Sequence, residues 1–206
     1  MKHEQKYTKI CEELKKIIEK TGEPLEGNCL YRHHSFNQWD VLLNKRINLQ
    51  KAAKGKTHIG EIGFNAGHSI LTMILVNPKA QYVLFDLGIH TYTRPCFEYL
   101  KKLFPKTKIE IFWGDSRETV AQYNENYPEV IFDLIHIDGG HTSEIYTVDW
   151  KNSLAATNSG SLLIFDDTDN RKINMFIDEE IAKGVVSEVS GFLETTGYEH
   201  RILEKN

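Results

Sequence analysis

Two apolar stretches of this sequence run directly into carboxylates. Phe132-Asp133-Leu134-Ile135-His136-Ile137 ends on Asp138, followed by Gly139-Gly140 and His141, and Ser161-Leu162-Leu163-Ile164-Phe165 ends on Asp166-Asp167. Adjacent parallel strands lie about 4.8 Å apart, and open α/β sheets bind ligands at their carboxyl edge. If the two stretches are neighbouring strands, Asp138, Asp166 and Asp167 converge there. Converging anions repel one another unless a cation lies among them. An all-oxygen set suits a hard ion, Mg2+ first, with Mn2+ or Ca2+ as substitutes. His141 follows Asp138 by three residues, and a histidine's ordinary pKa of about 6.5 leaves it mostly neutral at pH 7. Plainer roles compete. Asp138 and its glycines make a turn, Asp166 caps a helix beginning near Asp169, and His141 caps the helix that follows it. Adjacent strand residues also point to opposite faces, so Asp166 and Asp167 face one ion only if the chain has already left the strand.

A second constellation is Glu61-Ile62-Gly63-Phe64-Asn65-Ala66-Gly67-His68-Ser69. A dinucleotide turn, G-x-G-x-x-G, needs glycines at 63, 65 and 68 so that backbone can approach a pyrophosphate. Asn65 and His68 stand in two of those places. The remaining pattern, E-x-G-x-x-x-G, resembles the first motif of S-adenosylmethionine (SAM)-dependent methyltransferases. SAM has no pyrophosphate and carries an ammonium and a sulfonium, which an acid such as Glu61 suits. The competing role for Gly63 and Gly67 is a tight strand-to-helix turn. Asp86 ends the next strand 23 positions after Gly63, where a ribose-binding acid belongs in either nucleotide fold. Gly114-Asp115-Ser116 resembles the methyltransferase element that faces adenine, and equally reads as a helix cap.

These residues must be held by a particular set of elements. Ile10, Leu14, Ile17 and Ile18 share one helical face, and that helix stops near Thr21-Gly22-Glu23-Pro24. A polar and aromatic loop follows, with His33-His34 beside Tyr31, Phe36 and Trp39 as either a lid or a loop packed on the sheet edge. A second helix passes through Val41-Leu42-Leu43 and Ile47. From residue 57, apolar strands at 57–63, 81–86, 108–113, 132–138 and 160–166 alternate with helices at about 67–76, 92–104, 117–124 and 142–156. Continuous apolar strands alternating with helices imply a parallel sheet covered on both faces. A helix through Ile173, Phe176, Ile177 and Ile181 leads to strands near 185–195 and 198–204. Only Thr196-Gly197 separates them, too little for a crossover, so they form an antiparallel hairpin. The expectation is α/β: a Rossmann-like, seven-stranded, mostly parallel sheet with a C-terminal antiparallel hairpin. It forms a single domain over 1–206, with a helical cap or lid at 1–56 and a SAM-binding core at 57–206.

Taken in order, EIGxNxGHS, FD, GDS, HIDGGH and DD resemble metal-dependent O-methyltransferases of the macrocin type, within the class I SAM-dependent methyltransferases. The resemblance spans about residues 57–170. It implies that Glu61, Gly63, Asn65, Gly67, Ser69, Asp86, Asp115, Ser116 and Asp138 bind the cofactor. It also implies that Asp138, Asp166 and Asp167 hold Mg2+, and that His141, with Asp138, does the chemistry on a hydroxyl of a small molecule or glycan. Residues 1–56 lie outside the resemblance and offer surface for a homodimer. Two other readings remain open: a NAD-dependent oxidoreductase or epimerase, and a non-catalytic SAM-binding protein that would need no acid cluster. Among the other histidines, His136 reads as a hydrogen-bonded core residue and His68 as the start of a helix. Trp113 and Trp150 read as packing, and Trp113 lies close enough to Gly114 to border an adenine.

Bulk properties narrow the field. A chain of 206 residues suffices for one α/β core. A net charge of −4 argues against a surface that tracks nucleic-acid phosphates. Absence of any long apolar run argues against a membrane span. The N-terminus lacks a signal-peptide core, and Cys11, Cys29 and Cys96 form no closely spaced pair, so a reducing cytoplasm is expected.

Overall fold

The protein is described by a computed structural model covering residues 2–32, 35–197 and 199–206; His33-His34 of the expected lid lie outside the described residues. Helix α1 (Lys2–Thr21) ends at Gly22, whose φ of +72° breaks the helix where the sequence predicts. A 3-10 turn (Asp40–Leu42) runs into α2 (Leu43–Ala53). Then β1 (His58–Ile62), α3 (His68–Val76), β2 (Gln81–Asp86), α4 (Thr93–Leu103) and β3 (Lys108–Trp113) alternate. They are followed by α5 (Ser116–Asn126), β4 (Phe132–Ile137), α6 (Ser143–Ala155), β5 (Thr157–Phe165), α7 (Arg171–Ala182), β6 (Val186–Glu188) and β7 (Arg201–Lys205).

The sheet order is β3-β2-β1-β4-β5-β7-β6. The first five strands are parallel, and β7 runs antiparallel to both β5 and β6. Strand order reverses between β1 and β4, so the crevice beyond their carboxyl ends is the expected ligand site. Each face of the sheet buries its own apolar layer. Tyr7, Leu14 and Ile18 of α1 join Leu49, Ile70, Ile74 and Leu100 on one side, so the N-terminal helix is part of the core. Val120, Trp150, Phe165 and Ile177 pack on the other. Helix α3 is buried from His68 to Leu75, which its apolar run requires. Among the described residues no helix is long and apolar enough to cross a membrane.

The hairpin exists, but without its two-residue turn. Residues 189–200 join β6 to β7, and Thr196-Gly197 lies within that connection. Side chains of α2 take the place of a strand partner there. Asn48 Nδ2 donates to the Leu193 carbonyl and its Oδ1 accepts the Leu193 N–H, both at 2.8 Å, while Lys51 Nζ donates to Gly191 O at 2.6 Å. Backbone groups satisfied by side chains need no ladder.

Candidate active site

The end of β1 is built for close approach of two backbones. Gly63 has φ +92°, and a Cβ there would lie 1.9 Å from the Asp138 carbonyl oxygen, so only glycine fits. Backbone bonds Gly63 N–H to Phe85 O (2.8 Å), Asp138 N–H to Ile62 O (2.9 Å) and Asp166 N–H to Ile137 O (2.9 Å) hold the strand ends level. Beyond them opens a cavity of about 540 Å3. Its walls include Gly63, Asn65 and Ser69 from the first turn, Asp86, the Gly114-Asp115-Ser116 loop, Asp138 to His141, Asp166 and Asp167. Leu25 to Cys29, Tyr31, Trp39 and Leu42 close it from the N-terminal side, which gives the aromatic loop its place over the site.

Several expected residues are at the cavity with their polar groups already oriented. Asp86 accepts the N–H groups of Asn65 (2.7 Å) and Gly88 (2.6 Å), which fixes its carboxylate at the end of β2. Asp115 does cap α5, accepting from Arg117 N–H at 3.0 Å, and it also pairs with the Arg117 guanidinium at 2.5 Å. Asn65 turns its amide to the carbonyls of Glu26 and Gly27, tying the N-terminal loop to the first turn. Glu61 corrects an expectation. It is fully buried beneath the cavity rather than in its wall, and its Oε1 accepts from Ser69 Oγ at 2.5 Å and pairs with His136 Nδ1 at 3.0 Å. Ser69 is the residue of that pair that lines the cavity. Trp113 packs on Gly88 and under the Arg94 guanidinium, 4.3 Å from its ring centre, and Trp150 Nε1 donates to Glu180 at 2.9 Å.

Beside the glycine turn lies the acid cluster. The donor atoms of His136, Asp138 and Asp166 lie within 4.8 Å of one another. Asp167, at φ +55°, has left the strand, so the alternation of β5 no longer governs it. Its Oδ2 meets His141 Nε2 at 2.6 Å. Asp166 Oδ1 accepts the Asp167 N–H at 2.9 Å, and its Oδ2 pairs with Lys45 Nζ at 2.5 Å and lies 3.4 Å from His136 Nε2. Burial acts against the charge of Asp166, but Lys45 and His136 hold its pKa well below the carboxylate range. Burial and the Asp166 charge push Asp138 the other way, well above its ordinary value. Like charges this close divide into one ionised and one protonated group. Burial would lower the pKa of His136, yet Asp166 and Glu61 raise it to about 10, and Lys45 is likewise held charged by Asp166 and Asp138. His141 is raised chiefly by its hydrogen bond with Asp167. A divalent ion bound by all three aspartates does not fit these residues as they stand: both Asp166 oxygens and Asp167 Oδ2 are already engaged.

Lys45 and His68 have roles that the sequence did not disclose. Lys45 is only 6% exposed, and its helical spacing from the buried Leu42, at the end of the 3-10 turn, and Leu49 of α2 was the available signal. His68 does open α3, but it also lines the cavity with neither ring nitrogen hydrogen-bonded among the described residues, and burial lowers its pKa to about 4. His136 is a core residue, as expected, and also the link between Glu61 and Asp166.

Comparison with known proteins agrees with this fold. A family model described as a methyltransferase domain matches residues 61–168, from Glu61 to just past the second acid pair. No curated protein matches the chain. Among solved structures, an O-methyltransferase from Bacillus cereus in complex with SAH superposes with a TM-score of 0.68 at 18% identity, over 95% of this chain and 89% of that one. CalS11, a TDP-rhamnose 3'-O-methyltransferase of calicheamicin biosynthesis, gives 0.62 at 20% identity over 96% and 93%. TomG from Streptomyces achromogenes, in complex with SAM, gives 0.61 at 16% identity over 79% and 78%. These likenesses carry the fold, and the family match covers more than half of the chain. The chain belongs to the methyltransferase-domain family and has the class I methyltransferase fold.

Proposed function

We propose that the protein transfers the methyl group of SAM to a hydroxyl of a small molecule or sugar, with His141 as general base. The observation that carries this reading is the His141–Asp167 pair at 2.6 Å, set on the same cavity as the glycine turn. In the proposed arrangement Asp86 binds the ribose, the Gly114-Asp115-Ser116 loop flanks the adenine, and Ser69 with the Gly63 backbone receives the methionine end. Glu61 acts from below, fixing Ser69 and balancing His136. Because Nε2 of His141 faces Asp167, Nδ1 carries the free lone pair. Nδ1 removes the acceptor proton, and Asp167 stabilises the imidazolium that forms. The acceptor oxygen attacks the methyl carbon, the C–S bond breaks, and its electron pair stays on sulfur to give S-adenosylhomocysteine. Holding donor and acceptor in line supplies a large part of the rate enhancement.

The sugar or small-molecule acceptor is supported by what the structural neighbours are named for, among them a TDP-rhamnose methyltransferase. The net charge of −4 speaks against a nucleic-acid acceptor. The Mg2+ expected from the three aspartates is no part of this proposal, because both Asp166 oxygens and Asp167 Oδ2 already have protein partners. Transfer of label from methyl-labelled SAM to a panel of sugar nucleotides and phenols tests the reading. His141→Ala should lower turnover by about 10²–10⁴-fold with S-adenosylhomocysteine binding retained. Full turnover in that variant would remove His141 from the chemistry.

A further inference from the structure

We infer that the resident cation of the acid cluster is the ammonium of Lys45, and that it closes the cluster to divalent metal. This rests on the proposed function only for what the cluster does; the electrostatic claim stands on the geometry. Lys45 projects from α2 into the cavity floor with 6% exposure, and its Nζ lies 2.5 Å from an Asp166 oxygen whose side chain is fully buried. That same oxygen lies 3.4 Å from His136 Nε2, so two basic groups already converge on it. The other Asp166 oxygen holds the Asp167 backbone N–H at 2.9 Å, and Asp167 itself faces His141. A Mg2+ ion needs oxygen ligands at about 2.1 Å. Bound to Asp166 Oδ2, it would stand no more than about 4.6 Å from the Lys45 nitrogen, given the 2.5 Å of the ion pair. Like charges that near, with little water between, exclude one another.

The placement of Lys45 has a functional corollary. A fixed ammonium near Asp138, on the cavity that His141 also lines, stabilises negative charge developing on an acceptor oxygen, the service a metal would otherwise perform. A lysine supplies it with no ion to recruit. Position 45 is thereby a switch in chemistry encoded by one side chain of α2.

Mn2+ titration of the full chain with S-adenosylhomocysteine present, read by the electron-spin signal of free Mn2+, tests this without recourse to turnover. The wild type should show no saturable site tighter than about 1 mM. Lys45→Met, which keeps the bulk and removes the charge, should gain one site per chain, and Lys45→Met/Asp166→Asn should lose it again. A saturable wild-type site that Asp166→Asn abolishes would overturn the inference. So would a folded Lys45→Met chain that binds no Mn2+. Should Lys45→Met fail to fold, the wild-type titration and Lys45→Gln decide in the same sense. Calorimetry with S-adenosylhomocysteine on the same wild-type sample reports separately on the methyltransferase reading, so the two ideas fail by different measurements.

Discussion

Replacing Asp149 by Asn should make the protein more stable at neutral pH and leave it unchanged in acid. Asp149 sits in α6 with no exposure, and its carboxyl lies against Gly139, where an added Cβ would meet Oδ2 at 3.0 Å. Burial pushes its pKa from 3.8 up to about 6. A carboxyl whose folded pKa is raised binds its proton more tightly in the native state. Its contribution is therefore fully present below pH 3.8 and is lost as pH rises through about 6. At about 1.4 kcal/mol per pH unit, the interval between those values amounts to about 3 kcal/mol. Asn has the same shape and no proton to lose, so it escapes that cost. Urea unfolding of both proteins at pH 4, 5, 6 and 8 measures the difference. The stability gap should open between pH 4 and pH 6 and be level at about 3 kcal/mol by pH 8. A gap that is the same at every pH would refute the reasoning, since the effect would then come from packing rather than from ionisation.

Gly63→Ala should cost about 2–5 kcal/mol, combining left-handed strain with a clash against the Asp138 carbonyl, and should abolish S-adenosylhomocysteine binding by calorimetry. Gly160→Ala is the control: φ is +85° there but nothing lies within 4 Å of the new Cβ, so only the strain of about 1 kcal/mol should appear. For pH dependence, turnover needs neutral His141, so the rate should rise through a pKa above 6.5, because the Asp167 hydrogen bond holds the imidazolium. Asp167→Asn should move that acid limb downward in the pH–rate profile; an unmoved limb would separate the pair from the rate.

The acids at the ends of β4 and β5 could be read from the sequence because an apolar run stopping on Asp is a local pattern. Their meeting follows from strand adjacency alone. Glu61 was misread for the opposite reason. Its position in β1 looked like a strand end, yet the register sets it beside His136 in β4, and two buried polar residues in adjacent strands satisfy each other. That pairing exists only once the register is known. Lys45 was hidden because lysines on helices are usually solvated, and the burial of its face depends on where α2 lies over the sheet. The Thr196-Gly197 turn failed because a short dipeptide signal was outweighed by Asn48 and Lys51, far away in sequence.

Helix α2 has only eleven residues, and three of its side chains anchor it in three directions. Arg46 clasps Glu4 and the Cys29 carbonyl, Asn48 grips the connection before β7, and Lys45 reaches the end of β5. Segments from the first turn of the chain and from its last dozen or so residues are thus bolted to one short rod whose remaining bolt sits in the reaction chamber. Shortening or lengthening either outlying segment would turn that rod, and the chamber would register the change although no residue lining it had been altered.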